Sequence, residues 1–375
     1  MNPQAQFCPN LTCSARGQVG AGNIRIHCRA DGRYYCTVCR QRFSATSGTP
    51  LHGLRTPTAV VVQVVTLLAY GCPIQAIVAA FGFDARTVVQ WQQRAGEHCQ
   101  RVHDQLVLGN PHDLGQVQAD ELRVRLQRQV VWLASAIAVP TRLWLGGVVS
   151  QRRDSAMALA LARQVRAAAL CRALLIVFDG FAPYIGAFQQ AFRLTQPTGT
   201  RGHPRLIAWP DLALGQVVKH TLQRHVTHIE RRIVHGTASR VERLLHVTQN
   251  GGVLNTAYIE RLNGMFRASF APLVRRSRAT ARLAETLSAG MYLVGCVYNV
   301  CRCHDSLAVE LVLPRGRRWL KRTPAIAAGL TDHVWSVHEL LCFKIAPPPY
   351  PIPKRRGRPT KAEAHARLLF AHPPR

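Results

Sequence analysis

Carboxylates are scarce in this chain: 19 Asp and Glu stand against 48 Lys and Arg, a formal charge of +29 at pH 7. A surface balanced by ion pairs is therefore excluded, and a polyanionic partner is expected, nucleic acid being the usual one. The other polyanion, a membrane surface, calls for a basic amphipathic helix that the sequence lacks. No internal repeat is present, which excludes a solenoid. The first residues, MNPQAQFCPN, hold no apolar run of the kind a secretory leader needs. The longest apolar stretch, Val131 to Val149, is interrupted by Pro140-Thr141-Arg142 and reads as two strands and a turn, not a membrane helix. What is present is a 47% hydrophobic composition, enough for a packed core over 375 residues. With so few acids, each clustered one is a candidate for chemistry.

The twelve cysteines of a reduced, intracellular chain are read as metal ligands wherever they pair closely. Four residues lie between Cys8 and Cys13, two between Cys36 and Cys39, and 22 between the pairs. That spacing can set four thiolates around a structural Zn²⁺ and substitute for the core that about 45 residues barely build. His27 and Cys28 are alternative ligands. Arg25, Arg29, Arg33, Arg40 and Arg42 in the same segment suit phosphate contacts, although such a ribbon can equally be a folding device. Cys296, Cys301, Cys303 and His304 lack paired spacing and read as packing.

Thr58 to Tyr70 reads as an apolar helix stopped at Gly71, and Pro73 opens a second helix to about Phe81. Gly82-Phe83 makes a tight turn, and Asp84 caps a third helix expected over Ala85 to about Arg94. This is a helix-turn-helix pattern, whose second helix would offer Arg86, Thr87, Gln90, Gln93 and Arg94 to base edges. An ordinary helical linker has the same pattern.

Gly115 to Glu121 reads as a strand ending in an acid pair. Two strands follow, then a helix from Arg152 to Ala169. The continuous apolar run Ala173–Phe178 is a buried strand ending at Asp179. An acid at the carboxyl end of a buried strand is where open α/β sheets place their sites. Glu260 lies in a helical run reaching Arg267, two turns further along one face and available to DNA or a phosphate. Asp120 can also be a strand-end turn residue with Glu121 as the ligand, Asp179 can simply start a turn with Gly180, and Glu260 can pair with a neighbouring arginine. His220, His225, His228 and His235 read as solvated or phosphate-facing.

The DE of QADE, the DGFAPY element, NTAYIERLNGMFR and YNVCRCHDSL (Tyr298 to Leu307, read as a helix after the site) occur in that order behind the cysteine pairs. Together they resemble the DDE transposases of bacterial insertion sequences that join an N-terminal zinc finger to helix-turn-helix and RNase H-like domains. The resemblance covers residues 8 to about 307. It departs in the LRVRLQRQ that follows the acid pair, where an aromatic is expected, and in a short hairpin.

The resemblance implies a multidomain α+β chain with a zinc ribbon 1–50, a helix-turn-helix domain 51–110 and an RNase H-like catalytic domain 111–310; beyond it a helical extension 311–345 is expected, and composition gives a Pro-rich linker with basic tail 346–375. It carries over Asp120, Asp179 and Glu260 as catalytic ligands to roughly two Mg²⁺ or Mn²⁺ ions. It implies cleavage of double-stranded DNA at the element's terminal inverted repeats and strand transfer into target DNA. It also implies a homo-oligomer on DNA, no membrane, and a cytoplasmic place on the nucleoid. In the tail, Arg356 and Arg358 sit in an RGRP that resembles an AT-hook for the minor groove, or a solubilising tail. A non-catalytic DNA-binding protein and a structure-selective nuclease are the competing readings.

Overall fold

The computed structural model describes residues 1–350 except 128, 197–204, 224, 275–282, 314–315 and 349. The tail arginines Arg356 and Arg358 lie outside the described residues. The fold is mixed α/β, and the chain divides into two compact units, 1–47 with 346–375, and 48–345.

The first unit holds β1 (Ile24–Cys28), β2 (Arg33–Cys36) and β3 (Arg42–Ser44) in an antiparallel sheet of that order. Its apolar core is small: Ile24, Tyr34, Phe43 and Ala15 pack around Cys8, Cys13 and Cys36. The Tyr34 and Phe43 rings stack at 5.8 Å.

The second unit opens with α1 (Thr58–Ala69), α2 (Ile74–Phe81) and α3 (Ala85–His103). Gly82 takes a left-handed conformation (φ 70°) to end α2, and Asp84 Oδ1 accepts the Arg86 N–H at 2.7 Å to start α3. α3 runs nine residues past the expected end at Arg94. Gly96 stands within it because a Cβ there would lie 2.1 Å from the Ala289 carbonyl oxygen. The neighbour is a later helix, Ala284–Val300, and this close approach buries the second half of α3 in the core.

There follow β4 (Gln116–Arg125), β5 (Val130–Ala138), β6 (Trp144–Ser150), α4 (Ser155–Ala168), β7 (Leu174–Phe178), α5 (Pro183–Ala191), β8 (Arg193–Gln196), β9 (Arg205–Ala208), β10 (Leu212–Leu222), β11 (His225–His235), α6 (Ala238–Gln249), α7 (Ala257–Ser269) and α8 (Ala284–Val300). Six of these strands form one sheet in the order β11-β10-β7-β4-β5-β6. β7 runs parallel to both β4 and β10, and the remaining pairs are antiparallel. Every residue of β7 is buried, as its unbroken apolar run requires. β8 and β9 form a separate hairpin.

Two expectations need correction. Helix α8 ends at Val300, and His304–Leu313 is a strand, β12, so only the first three residues of the segment Tyr298–Leu307 are helical. The extension 311–345 is not helical throughout: β12 pairs with β13 (Gly316–Arg322) before the short helices α9 (Pro324–Ala327) and α10 (Val337–Cys342). The reason is period-two alternation at Leu307, Val309 and Leu311, which suits a pleated ribbon and not a helix. Segments 51–110, 111–310 and 311–345 all contribute to one core, which runs from Leu51 through Val117 and Met291 to Leu341. Among the described residues no helix is long and apolar enough to cross a membrane.

Candidate functional site

Asp120 stands on β4, and Asp179 directly follows its parallel neighbour β7, with Ala119 opposite Phe178 in register. Register alone therefore brings the two acids to the same end of the sheet. Carboxylate oxygens of Asp120, Glu121 and Asp179 all lie within 4.8 Å of one another. Each acid is held by the local backbone: Asp120 Oδ1 accepts the Glu121 N–H at 2.9 Å, and Asp179 Oδ1 accepts the Phe181 N–H at 3.0 Å.

Glu260 is outside that tight group. It lies near the start of α7, accepts the Thr256 hydroxyl at 2.8 Å and is paired with Lys219 of β10. One turn further, Asn263 Nδ2 donates to Asp120 Oδ2 at 2.8 Å, so the face of α7 that carries Glu260 is tied to the acid pair. Asn263 Oδ1 is buried with no donor among the described residues.

Burial dominates the electrostatics. It pushes the Asp120 carboxyl up to about 7, with repulsion from Asp179 and Glu121 adding to it. Glu121 is raised for the same two reasons, although Arg153 pulls the other way. Glu260 is lowered: burial opposes its charge, but the hydrogen bonds from Lys219 and Thr256 outweigh it. Oxygen donors without imidazole, crowded enough to hold one carboxyl partly protonated near neutrality, are what a hard divalent cation would relieve.

The sequence reading missed two cations here. Arg153 Nε donates to Glu121 at 2.7 Å, and a second guanidinium nitrogen lies 3.8 Å from Asp179. The same guanidinium sits 4.1 Å over the Phe181 ring and 5.1 Å over Trp132, which fixes its direction. Lys219 is the other. Neither position carries a spacing signal, because sheet register and loop packing bring them in.

Gln118 positions α7. It is two residues before Asp120 on the same strand face and fully buried. Its Oε1 accepts the N–H groups of Tyr258 and Ile259 at 2.9 and 3.0 Å, and its Nε2 donates to the Asn255 carbonyl at 2.8 Å. A strand side chain thus supplies the helix cap that Thr256 does not. Gln118→Leu should lower stability by about 2–3 kcal/mol, since two helix N–H groups lose their acceptor in a dry site. Urea unfolding measures this, and an unchanged midpoint would refute the positioning role.

The four thiols Cys8, Cys13, Cys36 and Cys39 form the other group able to hold a metal ion. Cys8 and Cys39 sulfurs are 3.6 Å apart, Cys13 and Cys36 sulfurs 3.9 Å. A tetrahedral ion with sulfur at ~2.3 Å needs sulfur separations of about 3.8 Å, so the fit is close. His27 and Cys28 are in neither group. Nor are His220 and His228, whose rings stack at 5.9 Å, nor Cys296, whose thiol donates to the Cys99 carbonyl at 3.1 Å.

Of the expected DNA-reading side chains on α3, Arg86 and Gln90 are exposed, and Thr87 is half-buried. Gln93 Nε2 donates to Glu97 at 2.8 Å, and Arg94 donates to the His52 carbonyl at 2.6 Å, so both are engaged within the chain. Arg267, near the C-terminal end of α7, is half-buried. Comparison with protein-family models and with curated proteins finds no match to this chain.

Proposed function

We propose that this chain is a DDE-type DNA transposase, which binds the terminal inverted repeats of an insertion sequence and performs strand cleavage and strand transfer. The observation that carries the reading is the convergence of Asp120 and Asp179 on neighbouring parallel strands, with the Glu260 face of α7 tied to Asp120 through Asn263. The strand run β6-β5-β4-β7-β10, three antiparallel strands followed by two parallel ones, supports an RNase H-like arrangement with acids on its first and fourth strands. The motif resemblance and the charge of +29 support the substrate class.

In this reading Asp120, Asp179 and Glu260 would hold Mg²⁺ or Mn²⁺, and Cys8, Cys13, Cys36 and Cys39 a structural Zn²⁺. A bound pair of divalent ions supplies an activated attacking oxygen and a stabilised leaving oxygen. The chain's own residues prepare the site. Asn263 orients the Asp120 carboxylate, Arg153 neutralises Glu121, and Lys219 keeps the Glu260 carboxylate ionised. Arg86, Thr87 and Gln90 would meet base edges, and the partner is double-stranded DNA, engaged by two or more copies because two ends must be joined. Glu121 is the alternative third ligand, favoured by its place within 4.8 Å of both aspartates.

The test is cleavage and joining of DNA that carries the element's ends, with Mg²⁺ or Mn²⁺, by wild type and by Asp179→Ala. Metal-dependent products that vanish in the variant while end binding persists support the reading. Specific binding with no chemistry in any metal would leave a non-catalytic DNA-binding protein instead.

A further inference from the structure

Among the described residues, the contacts that tie down the hairpin β12–β13 are at its base. There Leu307 is buried, Arg322 Nε donates to the Leu307 carbonyl at 2.8 Å, and the His304 ring stands edge-on to Tyr298 at 4.8 Å. Further out Val309, Glu310, Leu311 and Arg317–Lys321 are all exposed, whichever face of the ribbon they occupy. Trp319 is 61% exposed and Leu320 50%. A two-stranded ribbon is marginally stable alone in water, and large apolar side chains left bare on one mark a surface that meets a partner.

Register sorts the two faces. Glu310 stands opposite Trp319, and Val309 opposite Leu320. Side chains two apart on a strand share a face, so Arg317, Trp319 and Lys321 form a stripe of cation, indole and cation. The single acid beside them, Glu310, is 3.2 Å from Arg317. The opposite face carries Val309, Leu311 and Leu320 around Arg318. At the base, the His304 ring faces three cations, Arg142, Arg261 and Arg302, against one acid, Asp305. Arg261 follows Glu260 on α7, so positive charge continues from the helix of the candidate site to the foot of the ribbon.

We propose that β12–β13 is a second nucleic-acid-binding element, a ribbon that lies in the groove of a DNA duplex with Arg317 and Lys321 against phosphates and Trp319 against sugar and base edges. The proposal rests on the reading of the chain as a DNA-processing enzyme. The charge of the stripe selects a polyanion, and a two-stranded ribbon matches the width of a B-form major groove. Interleaving an aromatic with cations gives apolar contact to sugars and bases where phosphate contacts alone would give only charge.

The test uses the full chain and a short random-sequence duplex. Arg317→Glu/Lys321→Glu should weaken binding about tenfold or more at low salt. It should also flatten the dependence of log affinity on log salt by roughly two, because each phosphate contact contributes ~0.9 to that slope. Independently, duplex should quench part of the wild-type tryptophan emission, and Trp319→Phe should remove that part. If affinity, salt slope and quenching are unchanged in the variants while the wild type cleaves DNA, the ribbon proposal falls and the catalytic reading stands. If the wild type cleaves nothing but the variants lose binding as described, the ribbon stands and the catalytic reading falls. If instead the wild type self-associates, Trp319→Phe abolishes that association, and duplex binding is untouched, the ribbon is a contact between copies and the proposal is overturned.

Discussion

Asp120→Asn should raise the melting temperature of the metal-free protein at about pH 8 and, on the proposed function, abolish metal-dependent DNA cleavage at the same time. The Asp120 carboxyl titrates at about 7 in the fold against an ordinary 3.8. A carboxyl raised in this way favours the folded state only while protonated. Its contribution is fully present below about pH 4 and is lost as pH rises through about 7. At about pH 8 the wild type holds a crowded, desolvated charge, at a cost of at most ~4 kcal/mol from the size of the shift. Asparagine removes that charge. It can still accept one of the two hydrogen bonds from Asn263 and the Glu121 N–H, and losing the other costs about 1 kcal/mol. The net gain is at most ~3 kcal/mol, a few degrees in a unit of this size. It should shrink to nothing as pH falls toward 4. Adding Mg²⁺ should reverse the order, because metal stabilises the wild type and not the variant. Loss of a ligand worth several kcal/mol in the transition state predicts cleavage down by roughly a thousandfold or more. Thermal melts across pH, with and without Mg²⁺, alongside a cleavage assay decide it. A variant that is less stable at pH 8, or that cleaves like the wild type, would sink this account of Asp120.

The parts of the site written in local pattern were legible. The unbroken run Leu174–Phe178 could only be a strand covered on both faces, so the position of Asp179 followed from it. Gly82 and Asp84 punctuated α2 and α3 as their residue types dictate. What the sequence hid depends on tertiary neighbours. Strand alternation would send Asp120 and Glu121 to opposite faces, yet Glu121 joins the cluster, its carboxylate drawn to an arginine from the β6–α4 connection. The pairing of Glu260 with Lys219 comes from a hairpin whose residues looked like solvated basic sequence. α3 runs past Arg94 because Gly96 lets it pack closely against α8, a contact with no mark in the local pattern. The β12–β13 alternation was present in the letters, but the helical reading of the preceding segment ran over it.

On the proposed reading that Cys8, Cys13, Cys36 and Cys39 hold a structural metal, removing it should unfold the first unit and leave the second one folded. Its strands are only five, four and three residues long, and its core has few apolar side chains. Below roughly 50 residues such a core does not offset the conformational entropy of the chain. Structural zinc contributes about 10–16 kcal/mol in comparable small domains, far more than any side chain in this one. The thiols are prepared for it unequally. Burial holds Cys8 well above the ordinary thiol range. At Cys39 burial is outweighed by the Gln41 backbone N–H and by bonds from Asn10 and the other cysteines, so its thiol is lowered to about 7 and ionises first. Metal capture should therefore release protons and weaken steeply below neutral pH. Purified protein should carry about one zinc per chain, and a strong chelator or Cys36→Ser should open residues 1–47 to protease. None of the four ligands belongs to 48–345, whose own melting transition should persist. Protein that contains no zinc, or a Cys36→Ser variant as protease-resistant as the wild type, would mean the apolar core alone holds the unit.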